Sequence, residues 1–128
     1  MKGIRMQGGI PLQGKVRIQG SKNAALPILA ATLLTNEVSY IQNCPRIADV
    51  HRFVHLLREL GCLVHWQEKG IRVQPGENEE LPCERAEARR MQGEAITGMR
   101  SSLCLLGALL GRCGYVTMEH PGGCIIGE

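Results

Sequence analysis

Cys124 stands near the end of the sequence, directly after two glycines, in the segment 121–127 (PGGCIIG). Glycine adopts backbone conformations that other residues avoid, and Pro121 ends a preceding strand, so we expect the thiol on a loop at the carboxyl end of that strand. Such a thiol attacks an electrophile or donates a proton when nearby cations tune its pKa. A tight turn with an incidental thiol is the alternative that the local sequence leaves open.

Lys22 and Asn23 open an apolar stretch in the segment 20–27 (GSKNAALP). If this stretch is a helix, its first N–H groups and its dipole favour an anion, and the Lys22 ammonium adds a point charge suited to phosphate or carboxylate. The alternative is that Ser21 or Asn23 caps the helix while Lys22 is solvated. The glycine pattern of a Walker loop is absent, which excludes a nucleotide-binding P-loop.

Arg100 lies in the segment 99–102 (MRSS), at the start of a second apolar stretch. An arginine at this point can bind a phosphate through two N–H groups, assisted by the serine hydroxyls and by the helix N-terminus. A capping turn with a surface arginine explains the same residues equally well.

His51 and His55 are one helical turn apart and are in principle able to share a metal ion. No carboxylate or thiol stands at a convincing third position, so we predict histidines that are solvated or engaged in packing, and no metal site.

The six cysteines follow no C-x-x-C spacing, which excludes the usual zinc and redox motifs. Several lie inside apolar runs, where reduced thiols are typical. We therefore predict reduced thiols, with a structural role for all except Cys124, namely Cys44, Cys62, Cys83, Cys104 and Cys113.

The beginning of the chain alternates polar and apolar residues, which predicts two strands, at 2–7 and 14–19. A helix at 24–34 follows. It is apolar almost all round, so we expect it to be buried on most sides, with Pro27 tolerated near its first turn.

The next residues predict a strand, an amphipathic surface helix and a hairpin. The strand covers 38–42 and the helix covers 47–60, where apolar residues recur at helical spacing until Gly61 ends it. The hairpin joins 62–66 to 71–73 through a short polar link whose glycine suits a turn.

The segment 75–92 is rich in Glu, Arg, Pro and Gly, and we expect an exposed, partly mobile connection. A second nearly all-apolar helix at 99–112 and a strand at 115–119 follow it. The return of a strand and buried-helix pattern suggests an internal structural repeat.

Composition bounds the function classes. The chain has 128 residues, 44% of them hydrophobic, and a net charge of +3, so we expect a single globular domain whose charge indicates neither nucleic acid nor an anionic membrane as a partner. The apolar runs are too short to span a bilayer, and the first residues lack the apolar region of a secretory signal. We expect a cytoplasmic protein without a membrane segment.

Three segments taken together, and in this order, resemble the UDP-N-acetylglucosamine enolpyruvyl transferase family: 20–27, 99–102 and 121–127. The resemblance runs from Ile4 to the last residue and includes the residues 41–43 (IQN). It implies transfer of the enolpyruvyl group of phosphoenolpyruvate to the 3-hydroxyl of UDP-N-acetylglucosamine. In that family phosphate leaves through a tetrahedral intermediate, in the first committed step of peptidoglycan synthesis.

The resemblance also implies roles for single residues. Lys22 and Asn23 match positions that contact phosphoenolpyruvate, and Arg100 matches an arginine that helps to hold the UDP-sugar. Cys124 matches the catalytic cysteine, the general acid toward the methylene carbon of phosphoenolpyruvate and the thiol that fosfomycin alkylates. Neither a metal nor an organic cofactor is implied.

The fold that the resemblance implies is α/β, an inside-out barrel of repeated β-α-β-α-β-β units in two similar domains, with the active site in the cleft between them. Residues 1–128 would be an incomplete, N-terminal portion. Residues 2–19 would pair with strands of the other domain, 20–74 would form the first unit, and 93–128 would begin the second. The base for the sugar hydroxyl would lie outside this sequence, and the remainder of the enzyme would be its partner.

Two alternatives are open. The chain by itself is a non-catalytic folding or binding module if catalysis needs both walls of the cleft. A related enolpyruvyl transferase that acts on shikimate 3-phosphate is disfavoured by the PGGC loop, which that branch does not use.

Overall fold

The computed structural model describes residues 3–76, 90–91 and 102–118. In chain order its elements are α1 (Lys22–Ala31), a 3-10 helix (Thr32–Leu34), β1 (Ser39–Gln42), α2 (Ala48–Glu59), β2 (Leu63–Gln67), β3 (Gly70–Gln74), β4 (Arg90–Met91), α3 (Leu103–Cys113) and β5 (Thr117–Met118). This mixture of helices and strands fits the predicted α/β class.

Strands β1, β2 and β3 form one antiparallel sheet in the order β1-β3-β2. Ile71 of β3 is opposite Ile41 of β1, and Val73 is opposite Val64 of β2, so the alternating apolar side chains of neighbouring strands share one face. Strands β4 and β5 pair in parallel in a separate two-stranded sheet.

Helix α2 has the predicted amphipathic pattern. Val50, Phe53 and Leu57 are fully buried against the core, whereas Arg52 and Glu59 are exposed. The helix ends as predicted at Gly61, which has a φ of 89° and donates its N–H to the carbonyl of Arg58.

Helices α1 and α3 are buried on one face only, which corrects the expectation that they are buried on most sides. Leu29 and Leu105 are fully enclosed, but Ile28 and Leu110 are 48% and 50% exposed. In the described chain α1 packs against both α2 and α3, and the side of this helix layer that faces away from the core is not covered. Arg112 joins α3 to the 3-10 helix and the residues after it by donating to the carbonyl oxygens of Leu33 and Thr35, at 3.0 and 3.3 Å, and to Asn36 Oδ1.

Residues 3–19 form neither helix nor strand, so the strands predicted at 2–7 and 14–19 are not formed over the described residues 3–7 and 14–19. The apolar side chains of this segment are exposed, among them Ile4, Leu12 and Val16. A strand needs a partner for its N–H and C=O groups, and no strand of the described chain pairs with these residues.

The segment 75–92 differs from the predicted exposed connection at both ends. Pro75 is buried beside the end of β3, and Arg90 and Met91 form β4, which the sequence did not indicate. The helix predicted at 99–112 is confirmed as α3, which ends one residue later, at Cys113, and the strand predicted at 115–119 is confirmed as the shorter β5. Residues 77–89, 99–101 and 119 lie outside the described residues.

Gly70 is needed at the hairpin for a different reason from the one predicted. It begins β3 at a negative φ, and the turn residues Glu68 and Lys69 have negative φ as well. A Cβ added at Gly70 would lie 2.1 Å from the carbonyl oxygen of Ile41 in β1. Close approach of two strands, and not a left-handed turn, therefore requires glycine here.

No helix among residues 3–76, 90–91 and 102–118 is long and apolar enough to cross a membrane. The described cysteines are thiols, as the sequence predicts, and they are Cys44, Cys62, Cys104 and Cys113. Burial raises the pKa of the Cys44 thiol.

Candidate anion-binding site at the start of helix α1

Lys22 is the first residue of α1, two residues earlier than the predicted start of the helix. Lys22 and Asn23 are both exposed at this end. The first N–H groups of a helix have no partner inside the helix, and the dipole gives them a partial positive charge. The ammonium of Lys22 thus adds to a surface that already favours an anion.

Asp49, in the first turn of α2, is the partner of Lys22. Lys22 Nζ donates to Asp49 Oδ2 at 2.8 Å, and Arg52 Nη1 lies 3.7 Å from Asp49 Oδ1. The pair joins the N-terminal ends of α1 and α2, so two helix dipoles present their positive ends on neighbouring surfaces. Two cations and one carboxylate leave this patch with a net positive charge.

The hydrogen bond from Lys22 holds the pKa of Asp49 below its ordinary value, and the positive charges of Lys22 and Arg52 act in the same direction. Asp49 is therefore a carboxylate at neutral pH, and it orients the Lys22 ammonium when no other anion is present. An incoming phosphate would compete with this carboxylate for the same donor. The side chains of Lys22 and Asp49 are 46% and 33% exposed, so water reaches the pair and makes the exchange inexpensive.

The alternative for this segment was that Ser21 or Asn23 caps the helix while Lys22 is solvated, and the structure agrees with it only in the position of Ser21. Ser21 occupies the N-cap position, but its side chain makes no capping hydrogen bond, and Asn23 lies inside the helix. Lys22 is paired and not merely solvated. The N–H groups of the first turn are consequently not capped by Ser21.

Pro27 lies in the second turn of α1 and not near its first turn, because the helix starts at Lys22. Proline has no N–H, so the carbonyl of Asn23 receives no helical hydrogen bond from position 27.

Gly20 positions the segment that leads into α1. A Cβ at this residue would lie 2.1 Å from the carbonyl oxygen of Asn43, which follows β1. The chain therefore passes directly against the end of the sheet before α1 begins, and a side chain at position 20 would displace Lys22 from its present place.

Arg100 and Cys124 lie outside the described residues, so their roles and the proximity of Cys124 to Lys22 stay predictions. His51 and His55 behave as predicted: the ring of His51 packs 5.1 Å from that of Trp66, and His55 Nε2 lies 3.3 Å from Glu59 Oε1. Within the described ranges, no three His, Cys, Asp or Glu side chains are grouped as metal ligands.

Asp49 is the functional candidate that the sequence reasoning missed. Its place in the first turn of an amphipathic helix already marks it as favourable to the dipole of α2. Nothing local, however, indicates that it meets a lysine 27 residues away.

Comparison with known proteins supports the resemblance found in the sequence. A model of the family described as EPSP synthase (3-phosphoshikimate 1-carboxyvinyltransferase) matches residues 6–128. A protein of Sorangium cellulosum named UDP-N-acetylglucosamine 1-carboxyvinyltransferase is 44% identical over 127 residues, which are 99% of this chain and 28% of the relative.

Two further relatives carry the same name. That of Oleidesulfovibrio alaskensis is 40% identical and that of Methylacidiphilum infernorum is 38% identical, each over 128 residues. The alignments cover 99% and 100% of this chain and 28% of each relative. The chain thus spans little more than a quarter of the length of the relatives it matches, and it belongs to the EPSP synthase family.

Proposed function

We propose that this chain contributes to transfer of the enolpyruvyl group from phosphoenolpyruvate to the 3-hydroxyl of UDP-N-acetylglucosamine. The observation that carries the proposal is the Lys22 ammonium, held by Asp49 at the uncapped N-terminus of α1. A phosphorylated carboxylic acid is the kind of ligand that such a surface attracts. The names of three relatives at 38–44% identity supply the reaction.

The proposed roles follow the chemistry of each side chain. Lys22 and Asn23 bind the phosphate and carboxylate of phosphoenolpyruvate, and Arg100 binds the diphosphate of the UDP-sugar through paired N–H groups. Cys124 protonates the methylene carbon as the sugar hydroxyl attacks the neighbouring carbon. The hydroxyl proton passes to a base that lies outside these 128 residues. The tetrahedral intermediate then loses inorganic phosphate and one proton of its new methyl group, which gives the enolpyruvyl product. The reaction would serve peptidoglycan synthesis in the cytoplasm.

Asp49 has a specific place in this scheme. It holds the ammonium of Lys22 beside the first turn of α2 in the free protein and yields it to the substrate, whose charge is higher and is spread over two anionic groups. The cost of releasing Asp49 is small because its carboxylate is partly solvated and remains within 3.7 Å of Arg52.

The related reaction on shikimate 3-phosphate is the competing assignment within the family. The matching family model carries that name, whereas the relatives at 38–44% identity carry the UDP-N-acetylglucosamine name. The segment PGGC at 121–124 favours UDP-N-acetylglucosamine as the substrate, because the shikimate branch does not use this loop.

We also propose that residues 20–74, whose elements follow the order α-β-α-β-β in the structure, belong to one β-α-β-α-β-β unit of an inside-out barrel and that 93–128 begin another. The support is the exposed apolar side of the helix layer, where Ile28, Leu34, Leu103 and Leu110 face solvent. Helices this apolar are normally covered on several sides, and a repeated unit would supply the missing layer. In this scheme the exposed segment 2–19 pairs with strands of a second domain.

The 128-residue chain alone is proposed not to turn over. Lys22 and Asn23 are exposed in it, whereas enolpyruvyl transfer needs a site that excludes water from its intermediate. An isolated chain that released phosphate at the rate of a full-length relative would contradict this.

The test is a full-length protein in which these 128 residues replace the corresponding segment of the Sorangium cellulosum relative. We expect release of inorganic phosphate from phosphoenolpyruvate only when UDP-N-acetylglucosamine is present. Cys124→Ser should abolish turnover, and Lys22→Gln should reduce kcat/KM for phosphoenolpyruvate by about a hundredfold through loss of a charged contact. Lys15→Gln, an equal charge change outside this site, should leave kcat and the kcat/KM for phosphoenolpyruvate unchanged.

Fosfomycin provides an independent measurement of Cys124. We expect irreversible inactivation with one covalent adduct on this thiol, and no adduct on Cys124→Asp. Turnover in the Cys124→Ser protein, or phosphate release that depends on shikimate 3-phosphate, would refute the corresponding assignment.

A further inference from the structure

A second cation-lined site lies beside the β2–β3 turn and does not include Lys22 or Asn23. It is an open cavity of about 440 Å³. Three cations line it, Arg17, Arg46 and Lys69, together with one carboxylate, Glu68. These residues come from the exposed segment 3–19, the loop after β1 and the turn of the hairpin, so folding brings the charges together from three parts of the chain.

Three positive charges against one negative charge leave the cavity with a net positive charge of two, which favours an anion over a cation or a neutral ligand. Proximity in the sequence does not explain why these cations are grouped, because Arg17, Arg46 and Lys69 are far apart along the chain. Gln19, Gln42 and Asn43 line the same space, and a side-chain amide has both donors and acceptors.

Arg46 is held in place before any ligand binds. Its guanidinium carbon lies 4.9 Å from the centre of the Trp66 ring, and Nη2 donates to the carbonyl of Gln67 at 2.7 Å. Trp66 is in turn packed against His51 on α2. Among the hydrogen bonds of the described residues, Arg46 donates only through Nη2. The other N–H groups of its guanidinium are able to bind an oxyanion, and little side-chain entropy is lost because the side chain is already held.

The floor of the cavity is fixed as well. Asn43 has a φ of 54° and donates its N–H to the carbonyl of Lys69 at 2.9 Å, which ties the end of β1 to the hairpin turn. The close approach of Gly70 to Ile41 prevents the turn from sliding along β1. Lys69 and Glu68 are therefore displayed from a rigid two-residue turn.

We infer that this cavity binds a phosphomonoester of a small hydroxylated molecule. A phosphomonoester carries close to two negative charges at neutral pH, which matches the net charge of the lining. Arginine binds phosphate oxygens in pairs, and lysine adds a point charge. The cavity is larger than one phosphate requires and lies within the usual range of small-ligand sites, so the carboxylate of Glu68 and the amides accept hydrogen bonds from hydroxyl groups of the same molecule.

The test uses the 128-residue chain, uniformly labelled with 15N, in two titrations at constant ionic strength: inorganic phosphate in one and glucose 6-phosphate in the other. We expect saturable shifts of the amide signals of Gln42, Asn43 and Gly70, with glucose 6-phosphate binding at least about threefold more tightly because it adds hydroxyl contacts.

Four variants locate the site. Arg46→Gln and Lys69→Gln should each weaken binding at these signals by about fivefold or more, since each removes a charge-assisted contact. Arg52→Gln carries the same charge change outside the cavity and should leave the dissociation constant unchanged. Lys22→Gln should do the same, which separates this site from the proposed substrate site. If Arg46→Gln disturbs the packing of Trp66, the exposed Lys69 still provides the measurement.

Each other outcome counts against the inference. Shifts that rise linearly with concentration, or an equal loss in Arg52→Gln, would show screening by bulk ions only. Shifts that disappear in Lys22→Gln would assign the anion to the start of α1. Equal affinity for the two titrants would refute recognition of the hydroxylated part.

Discussion

The segment 3–19 and the hairpin β2–β3 share the same alternation of polar and apolar residues but have different structures. Val16 and Ile18 are 88% and 82% exposed, whereas Ile71 and Val73 are each 1% exposed. β3 lies between two strands and beneath the helix layer, while 3–19 pair with no strand of the described chain. Alternation of polar and apolar residues thus indicates that a segment is able to form a strand. Whether it does depends on a neighbouring strand with which it pairs.

Hydrogen exchange should show the largest difference between the two regions. Amides of β3 bonded to β1 and β2 are expected to exchange at least about a thousandfold more slowly than the same residues in an unstructured peptide, because exposing them requires the sheet to open. Amides of 3–19 should exchange within about tenfold of the peptide rate. Protection of 3–19 in this chain, read by mass spectrometry or NMR, would mean that the segment has a partner after all.

Substitution of matched isoleucines sharpens the comparison in free energy. Ile71→Ala should lower the free energy of unfolding by about 2–4 kcal/mol, since it leaves a cavity under the helices. Ile18→Ala removes the same atoms from an exposed position, and we expect a change within about 0.5 kcal/mol. Urea denaturation measures both. Similar losses for the two variants would contradict the exposure of Ile18.

Two glycines provide a third, smaller contrast. Gly70→Ala should cost about 2 kcal/mol of unfolding free energy, because the added methyl group would lie 2.1 Å from the carbonyl oxygen of Ile41 and force β1 and β3 apart. At Gly8 nothing lies within 4 Å of an added Cβ, so Gly8→Ala should change stability by less than about 0.5 kcal/mol. A tolerated Gly70→Ala would show that this strand contact relaxes easily.

The sequence was sufficient for the elements that local patterns determine. The apolar stripe of α2, its end at Gly61 and the two strands of the hairpin follow from spacing alone, because one face of each is buried. Local periodicity does not show which strand a segment pairs with. The strands predicted at 2–7 and 14–19 did not form because no strand of the described chain pairs with them. β4 could not be predicted, because its two residues are too few to show any periodicity.

The candidate site, likewise, was predictable where it depends on local sequence and unpredictable where it depends on contacts between distant residues. Lys22 was identified because helix starts attract anions whatever the surrounding fold. Its pairing with Asp49 was not, since the contact depends on how α1 packs against α2. The need for glycine at position 20 was equally hidden, because the atom that a side chain would meet belongs to Asn43, 23 residues further along the chain.

Asp49 gives the smallest expected effect, in a pair that belongs to the packed region. Its pKa is lowered by the bond from Lys22, so the pair stabilises the fold above the unfolded pKa of an aspartate, about 4, and this contribution disappears as the pH falls through the lower folded value. Asp49→Asn should therefore cost about 0.5 kcal/mol at pH 7, small because both side chains are partly exposed, and nothing near pH 2. Lys15→Gln, in the exposed segment, should change stability at neither pH. Urea denaturation of the unsubstituted chain, Asp49→Asn and Lys15→Gln at pH 7 and pH 2 measures these differences. If Asp49→Asn still lowered the free energy of unfolding at pH 2, Asp49 would stabilise α2 by something other than its charge.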